Sequence, residues 1–189
     1  MENFAGDYAI LNGTGLWKDK LGQPVASPCL TVSARPRDSR VVCGERFTGE
    51  GFPAKDRCVI EKGILRDFDL SLYVANRTGG PRASCSLANL VVEPGDRPLE
   101  EILASVSRGI LVGRISGGSP GANGEFSMVA KNSFLVENGK IAGAVSETMI
   151  NGNLGEMLQN VCAISRETVC DGSTCLPWAA FADVTISGK

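Results

Sequence analysis

The dipeptide Asn138-Gly139 constrains the fold more than any other feature of this sequence. It lies between two apolar runs, residues 134–136 and residues 141–145. A two-residue type I′ turn needs a positive φ at both central positions, and asparagine followed by glycine meets that need at the least cost. The sequence therefore predicts a β-hairpin centred on this pair.

The hairpin belongs to a longer stretch, residues 113–154, that is rich in glycine and asparagine. Within it, a loop of residues 116–124 made almost wholly of Gly, Ser, Pro and Asn leads into the apolar run 126–129. Glycines 117, 118 and 121 could be interpreted as a phosphate cradle, but the G-x-G-x-x-G register and a Gly-Lys-Ser/Thr sequence are absent and no helix pattern follows. The pattern favours a structural or interface loop.

Many short strand-like runs and few helical patterns indicate the fold class. A second hairpin is expected at Lys62-Gly63, and helices are expected from Pro98 to Arg108 and over residues 154–161 with Asn153 as the N-cap. No regular βαβ alternation is present. We therefore expect an α+β fold that is mainly antiparallel β, barrel- or sandwich-like, with two or three short helices. Residues 1–28 are expected to form an irregular N-terminal segment and residues 29–189 the β-rich domain.

Charge and hydropathy exclude several function classes. The net charge is −2, with 19 basic and 21 acidic residues, and no basic block suggests nucleic-acid binding. No apolar run approaches the roughly 20 residues of a membrane helix, and residues 1–8 do not resemble a signal peptide. We expect a cytoplasmic protein with neither a nucleic-acid nor a membrane partner.

The seven cysteines form no recognisable motif. They are odd in number and irregularly spaced, at positions 29, 43, 58, 85, 162, 170 and 175. In a reducing cytosol such residues are more often buried or free thiols than disulfides, and Cys162, on the apolar side of its run, is expected to be buried. Cys170 and Cys175 alone are a weak zinc signal.

The absence of histidine limits the chemistry of the chain more than any motif does. Ser-His-Asp and Cys-His catalysis, and zinc held by imidazole, are excluded within this chain. Glu125, Glu137 and Glu147 could supply paired carboxylates, but they are equally explained as solvent-facing strand residues. The residues by themselves predict a globular domain without a self-contained catalytic site.

A series of short pieces, in order from Gly22 onward, resembles the C-terminal half of the TldD/PmbA family, known as modulators of DNA gyrase and as metallopeptidases. The pieces are GQPVASP (22–28), FTGEGFP (47–53), VIEKGIL (59–65), NLVVEPG (89–95), LEEILASVSRGILV (99–112), NGEFS (123–127), VENG (136–139), ETMINGNL (147–154) and TISGK (185–189).

The resemblance implies a β-rich domain that lacks the family's N-terminal half. Active members carry a His-Glu-x-x-x-His zinc helix upstream and use a C-terminal cysteine as a further ligand. Cys170 or Cys175 falls near the place of that cysteine, but neither can be assigned. The resemblance therefore implies no catalytic residue, metal ligand or cofactor in this chain, and zinc in a TldD-type partner.

The NGEFS piece and the helix start at Gly152-Asn153-Leu154 are similar to the PmbA (TldE-like) branch, whose members lack the metal ligands. We expect a non-catalytic subunit that contributes to a peptide cleft or a subunit interface, with a TldD-type subunit or a second copy of itself as partner and a peptide as substrate. The residues expected to bind peptide or partner are Gly117, Gly118, Asn123, Gly124, Glu125 and Phe126. The alternatives are a thiol-dependent enzyme or redox protein that uses Cys170 and Cys175, and a purely structural fragment.

Overall fold

The computed structural model describes residues 1–188, so Lys189, the last residue of the expected β-rich domain, lies outside it. The described residues form five short helices: α1 (Glu2–Ala5), α2 (Asp7–Leu11), α3 (Leu72–Thr78), α4 (Leu99–Ala104) and α5 (Leu154–Gln159). The strands are β1 (Val32–Ala34), β2 (Arg57–Glu61), β3 (Ile64–Leu65), β4 (Leu90–Val92), β5 (Arg108–Leu111), β6 (Arg114–Ser116), β7 (Glu125–Lys131), β8 (Ser133–Glu137), β9 (Lys140–Val145), β10 (Met149–Asn153), β11 (Val161–Cys170), β12 (Cys175–Phe181) and β13 (Thr185–Ser187).

The strands form three sheets. The largest has the order β11-β12-β4-β1-β2-β3, a second has the order β13-β10-β7-β6, and the third has the order β5-β8-β9. The β12–β4 pair is parallel, and the other pairs of named strands are antiparallel. The expected α+β class with mainly antiparallel sheets is confirmed. The helices exceed the expected two or three because two of them lie before residue 12.

The main core lies against the six-stranded sheet and includes the beginning of the chain. Phe4 and Trp17 are almost fully buried, and their rings meet edge to face with centroids 5.2 Å apart. They pack in one cluster with Val59, Ile60 and Leu65 of β2 and β3. Residues 1–28 thus supply two helices and large apolar side chains to the core.

Both hairpins expected from the sequence are confirmed. Asn138 and Gly139 have φ values of 50° and 76° and connect β8 to β9, with Glu137 opposite Lys140. Lys62 and Gly63 have φ values of 47° and 80° and connect β2 to β3. Two consecutive positive φ angles give the twist that matches paired antiparallel strands.

The expected helix from Pro98 to Arg108 is too long. The helix α4 ends at Ala104, and Arg108–Leu111 form β5, where Gly109 lies opposite Val136 of β8. Beyond β5, residues 112 and 113 connect it to β6, which belongs to a different sheet. A Cβ atom at Gly113 would lie 2.2 Å from the Asn132 carbonyl oxygen. Pairing of Arg108–Leu111 with the distant strand β8 thus overrides the local helical pattern.

The helix expected after Asn153 is confirmed as α5. The Asn153 side chain accepts a hydrogen bond from the Gly155 N–H at 2.9 Å, as an N-cap residue does. The helix ends at Gln159 rather than at Val161, because Val161 begins β11. The short helix α5 therefore sits directly between β10 and β11.

Candidate functional site

A cavity of about 640 Å³ lies where β7 begins and β10 ends, against the first turn of α5. It contains two carboxylate side chains, an aromatic ring, an amide and a hydroxyl. Its lining residues are Glu125, Phe126, Ser127, Gly152, Asn153 and Glu156. We call this space the strand-end cleft. The pairing of β7 with β10 creates it, with Glu125 opposite Asn153 and Phe126 opposite Gly152.

Asn153 organises one wall of the strand-end cleft. While its Oδ1 caps α5, its Nδ2 donates a hydrogen bond to the Asn123 carbonyl at 2.8 Å. The Leu154 N–H donates to the Gly124 carbonyl at 2.8 Å. These bonds fix the end of the loop of residues 117–124 against the start of the helix.

Gly124 permits this close approach. Its φ is +88°, and a Cβ atom there would lie 2.7 Å from Asn153 Oδ1. A side chain at this position would therefore clash with the residue that caps α5, in a backbone conformation that glycine alone adopts readily. The Glu125 N–H, at the start of β7, donates a hydrogen bond to Asn123 Oδ1 at 3.2 Å.

The two faces of β7 differ in polarity beside the cleft. On the exposed face, Ser127 Oγ donates to Asn151 Oδ1 at 2.6 Å, and the Asn151 amide donates to Ser187 Oγ at 3.2 Å. On the other face, the half-buried Phe126 ring lies over Gly152, where a Cβ would be 3.6 Å from the ring. The cleft is therefore an open surface depression that combines one aromatic ring with hydrogen-bonding groups and carboxylates.

The six residues expected to bind peptide or partner are divided by the structure. Asn123, Gly124, Glu125 and Phe126 lie together at the strand-end cleft. Gly117 and Gly118 lie at the opposite end of the loop, Gly117 beside Met128 and Gly118 facing open space.

Sequence reasoning missed Ser127, Gly152 and Glu156 as lining residues and predicted Asn153 only as a helix cap. The NGEFS and Asn-Gly-Asn patterns marked both strands as unusual. Their meeting depends on the β7–β10 register, which periodicity cannot give across more than 20 residues.

A second cavity of about 240 Å³ is lined in part by carboxylates that accept hydrogen bonds from main-chain N–H groups. Asp7 accepts a hydrogen bond from the Ser71 N–H at 2.8 Å, Glu50 from the Leu72 N–H at 2.6 Å, and Glu45 from the Ser86 N–H at 2.6 Å. Three of its carboxylates thus hold loops in place, which is a structural role.

Arg57 lies behind this second cavity as a buried cation. Its side chain is 6% exposed, and it contacts the carboxylates of Asp67, at 3.0 Å, and Asp69. It also donates to the Phe68 and Cys85 carbonyls. Burial opposes its charge, but attraction to Asp69 and the hydrogen bond with Asp67 outweigh that effect and raise the pKa of Arg57.

The cysteines differ from the sequence-based expectation. Cys170 and Cys175 form a disulfide, since β11 and β12 place them opposite each other at the last rung of a hairpin. Cys162 is exposed rather than buried, because it lies on the outward side of β11. Burial raises the pKa values of the free thiols of Cys58 and Cys85.

The donor set does not fit the zinc that the family resemblance implies. The sequence has no histidine, and the sulfurs of Cys170 and Cys175 are bonded to each other. Among residues 1–188, no three cysteine, aspartate or glutamate side chains come together in an arrangement that could hold a metal ion.

The chain is similar to known proteins over nearly its whole length. Residues 2–188 match the family model of the PmbA/TldA metallopeptidase C-terminal domain. The PmbA homolog of Haemophilus influenzae, a metalloprotease by name, is 30% identical over 169 residues, which are 84% of this chain and 37% of that protein. A metalloprotease of Methanocaldococcus jannaschii is 28% identical over 170 residues, 84% of this chain and 38% of that protein.

Structural similarity agrees with the sequence match. The crystal structure of TldE from Thermococcus kodakarensis superposes with a TM-score of 0.85 at 26% identity, over 98% of this chain and 46% of that one. The chain thus spans less than half the length of these relatives. By the match over residues 2–188, this chain belongs to the PmbA/TldD family and corresponds to its metallopeptidase C-terminal domain.

Proposed function

We propose that this chain is a non-catalytic domain of a PmbA-like subunit in a TldD/TldE-type metallopeptidase complex that acts in peptide maturation or proteolysis. The donor set supports a non-catalytic role, since the chain has no histidine and its two closest cysteines are joined. In this proposal the zinc and the catalytic groups belong to a TldD-type partner. The likeness to TldE, a protein of that name from Thermococcus kodakarensis, supports this assignment of roles.

The strand-end cleft carries the second part of the proposal, that the chain helps to bind a peptide or a partner subunit. The strand β6 pairs with β7 only at residues 129–131, and the loop of residues 117–124 folds back beside positions 125–128, where the Gly121 N–H donates to the Glu125 carbonyl at 2.9 Å. In this proposal a peptide or partner segment lies against this loop and the end of β7, with one of its side chains in the strand-end cleft. Glu125 and Phe126 both line the cleft but are neighbours on opposite faces of β7, and Phe126 supplies the apolar contact.

The experiment that tests the role of the strand-end cleft uses the complex of this chain with a TldD-type subunit. We expect Phe126→Ala to weaken peptide binding about tenfold, because loss of an aromatic contact in a cleft costs roughly 1–2 kcal/mol. Glu125→Gln tests the contribution of charge in the same way. Glu137→Gln is the matched control, since Glu137 is an exposed strand-end glutamate in the other small sheet.

Two measurements separate the two roles of the cleft. Fluorescence anisotropy of a labelled peptide reports substrate binding, and sedimentation of the mixed subunits reports assembly. If the Phe126 and Glu125 variants change neither measurement relative to the Glu137 control, the cleft has no part in the function. Native mass of this chain alone distinguishes a homodimer from dependence on a TldD-type partner.

The location of the protein remains a prediction from its sequence, namely the cytoplasm. Among residues 1–188, no helix combines the length and the apolar content needed to cross a bilayer.

A further inference from the structure

The Cys170–Cys175 disulfide closes a turn that side-chain hydrogen bonds also hold in place. The carboxylate of Asp171 accepts hydrogen bonds from the N–H groups of Ser173, at 2.8 Å, and Thr174, at 2.7 Å. The hairpin strands already hold the two cysteines opposite each other without a covalent bond. A disulfide that closes so short a loop removes little chain entropy, so stability alone is a weak reason for it.

The two sulfurs of this bond lie in different surroundings. Cys175 is fully buried with Val41 and Val91, whereas Cys170 is exposed at the end of β11. An incoming thiolate can therefore reach the Cys170 sulfur, and the Cys175 sulfur is the leaving group.

A third cysteine, Cys43, is hydrogen-bonded to the same turn through its main chain. The Cys43 N–H donates to the Gly172 carbonyl at 2.8 Å, and Cys43 Sγ would lie 3.8 Å from a Cβ atom at Gly172. The buried amide of Asn89 donates both to the Cys43 carbonyl, at 3.4 Å, and to the Ser173 carbonyl, at 3.2 Å. Cys43 is a free, exposed thiol held over the loop that separates the two bonded cysteines.

We propose that Cys43, Cys170 and Cys175 form a thiol–disulfide exchange site whose co-reactant is a low-molecular-weight thiol such as glutathione. The glutathione thiolate attacks the Cys170 sulfur, the Cys170–Cys175 bond breaks, and Cys175 leaves with the electron pair; its protonation requires that the opened turn admit water to this buried position. Cys43, after losing its proton to solvent, then attacks the same Cys170 sulfur and displaces the glutathione thiolate. Cys170 exchanges its partner, and no net oxidation or reduction occurs.

The cytoplasmic location predicted from the sequence agrees with this role. Disulfides in a reducing compartment are usually transient, catalytic or redox-sensing rather than structural. Opening of the Cys170–Cys175 bond removes the covalent link at the end of β11, and the exchange then requires the Cys170 side chain to reach the loop that carries Cys43. That loop continues through Gly44 to Glu45, which lines the 240 Å³ cavity.

The test is disulfide mapping of the full chain after incubation with reduced and oxidised glutathione. Free thiols are blocked with N-ethylmaleimide at low pH, and the unreduced digest is analysed by mass spectrometry. We expect a Cys43–Cys170 peptide pair to appear in the wild type on addition of glutathione. In Cys43→Ser, the glutathione adduct at Cys170 should increase several-fold, because the thiol that resolves it is missing.

Cys162→Ser is the matched control, since Cys162 is another exposed free thiol, also on β11. It should behave as the wild type does, and circular dichroism establishes that all variants are folded. If Cys43→Ser does not fold, prior alkylation of Cys43 in the wild type serves the same purpose. An unchanged Cys170–Cys175 bond under all conditions, or an adduct level independent of Cys43, overturns the proposal and leaves the role of the strand-end cleft untouched.

Discussion

At the scale of single residues, Arg57 is the side chain whose loss should cost the most stability. Arg57 is buried between Asp67 and Asp69, whose side chains are 22% exposed. Removal of its guanidinium takes away the positive charge that stabilises these two carboxylates. We expect Arg57→Met to lower the free energy of unfolding by about 3–5 kcal/mol, as loss of one partner of a buried ion pair does. Urea denaturation measures the change.

Arg66→Met is the matched control for that variant. The ion pair of Arg66 with Glu61 is about half exposed at both side chains, so its loss should cost at most about 1 kcal/mol. Equal destabilisation by the two substitutions would contradict the structural role assigned to Arg57. The sequence offered no sign of this difference, since Arg57 begins β2 and Arg66 follows β3 of the same hairpin, and only the packing of other segments buries one of them.

Asp171 gives a prediction of pH dependence at the same scale. The hydrogen bonds from the Thr174 and Ser173 N–H groups lower the pKa of its carboxyl below the usual value of about 3.9. Its stabilising effect is therefore present above the pKa of the unfolded chain and is lost as the pH falls through the lower folded pKa. A ¹³C NMR titration of the carboxyl should show a lower midpoint in the folded protein than in a CDGSTC peptide. An equal or higher midpoint would contradict the turn geometry.

At the scale of elements, local signals and long-range pairing differ in what they allow to be predicted. The two hairpin turns and the cap of α5 were predictable, because Asn-Gly, Lys-Gly and an Asn before an apolar run act over a few neighbouring residues. The end of α4 was not, because residues 105–108 fit a helical pattern locally, whereas Arg108–Leu111 pair with β8 in the folded chain. The same holds for the strand-end cleft, which depends on one register between β7 and β10.

The β8–β9 turn supplies the test at this scale. We expect Gly139→Ala to destabilise the protein by about 1–2 kcal/mol, since a left-handed backbone conformation costs that much for a residue with a Cβ. The added Cβ would also lie 2.7 Å from the Ala104 carbonyl oxygen, so the cost can exceed this range. Gly143→Ala in β9 meets no atom within 4 Å and should have little effect in thermal unfolding. A loss at Gly143 as large as that at Gly139 would contradict the turn assignment.

At the scale of the whole molecule, the chain is one part of a larger family architecture. It spans 37–46% of the relatives compared above, and it presents a cleft with aromatic, amide and carboxylate groups at the start of β7. Family membership could be predicted because many short pieces occur in the family's order from Gly22 onward. The disulfide could not, because only the β11–β12 register brings Cys170 opposite Cys175.

The central claim, that this chain contributes a cleft but no catalytic metal site, is tested most directly by one measurement. Zinc content and peptidase activity are determined together for the purified chain, alone and mixed with a TldD-type subunit. We predict neither bound zinc nor activity in the chain alone, and zinc-dependent activity in the mixture. One zinc ion per chain together with peptidase activity in the isolated protein would contradict the account.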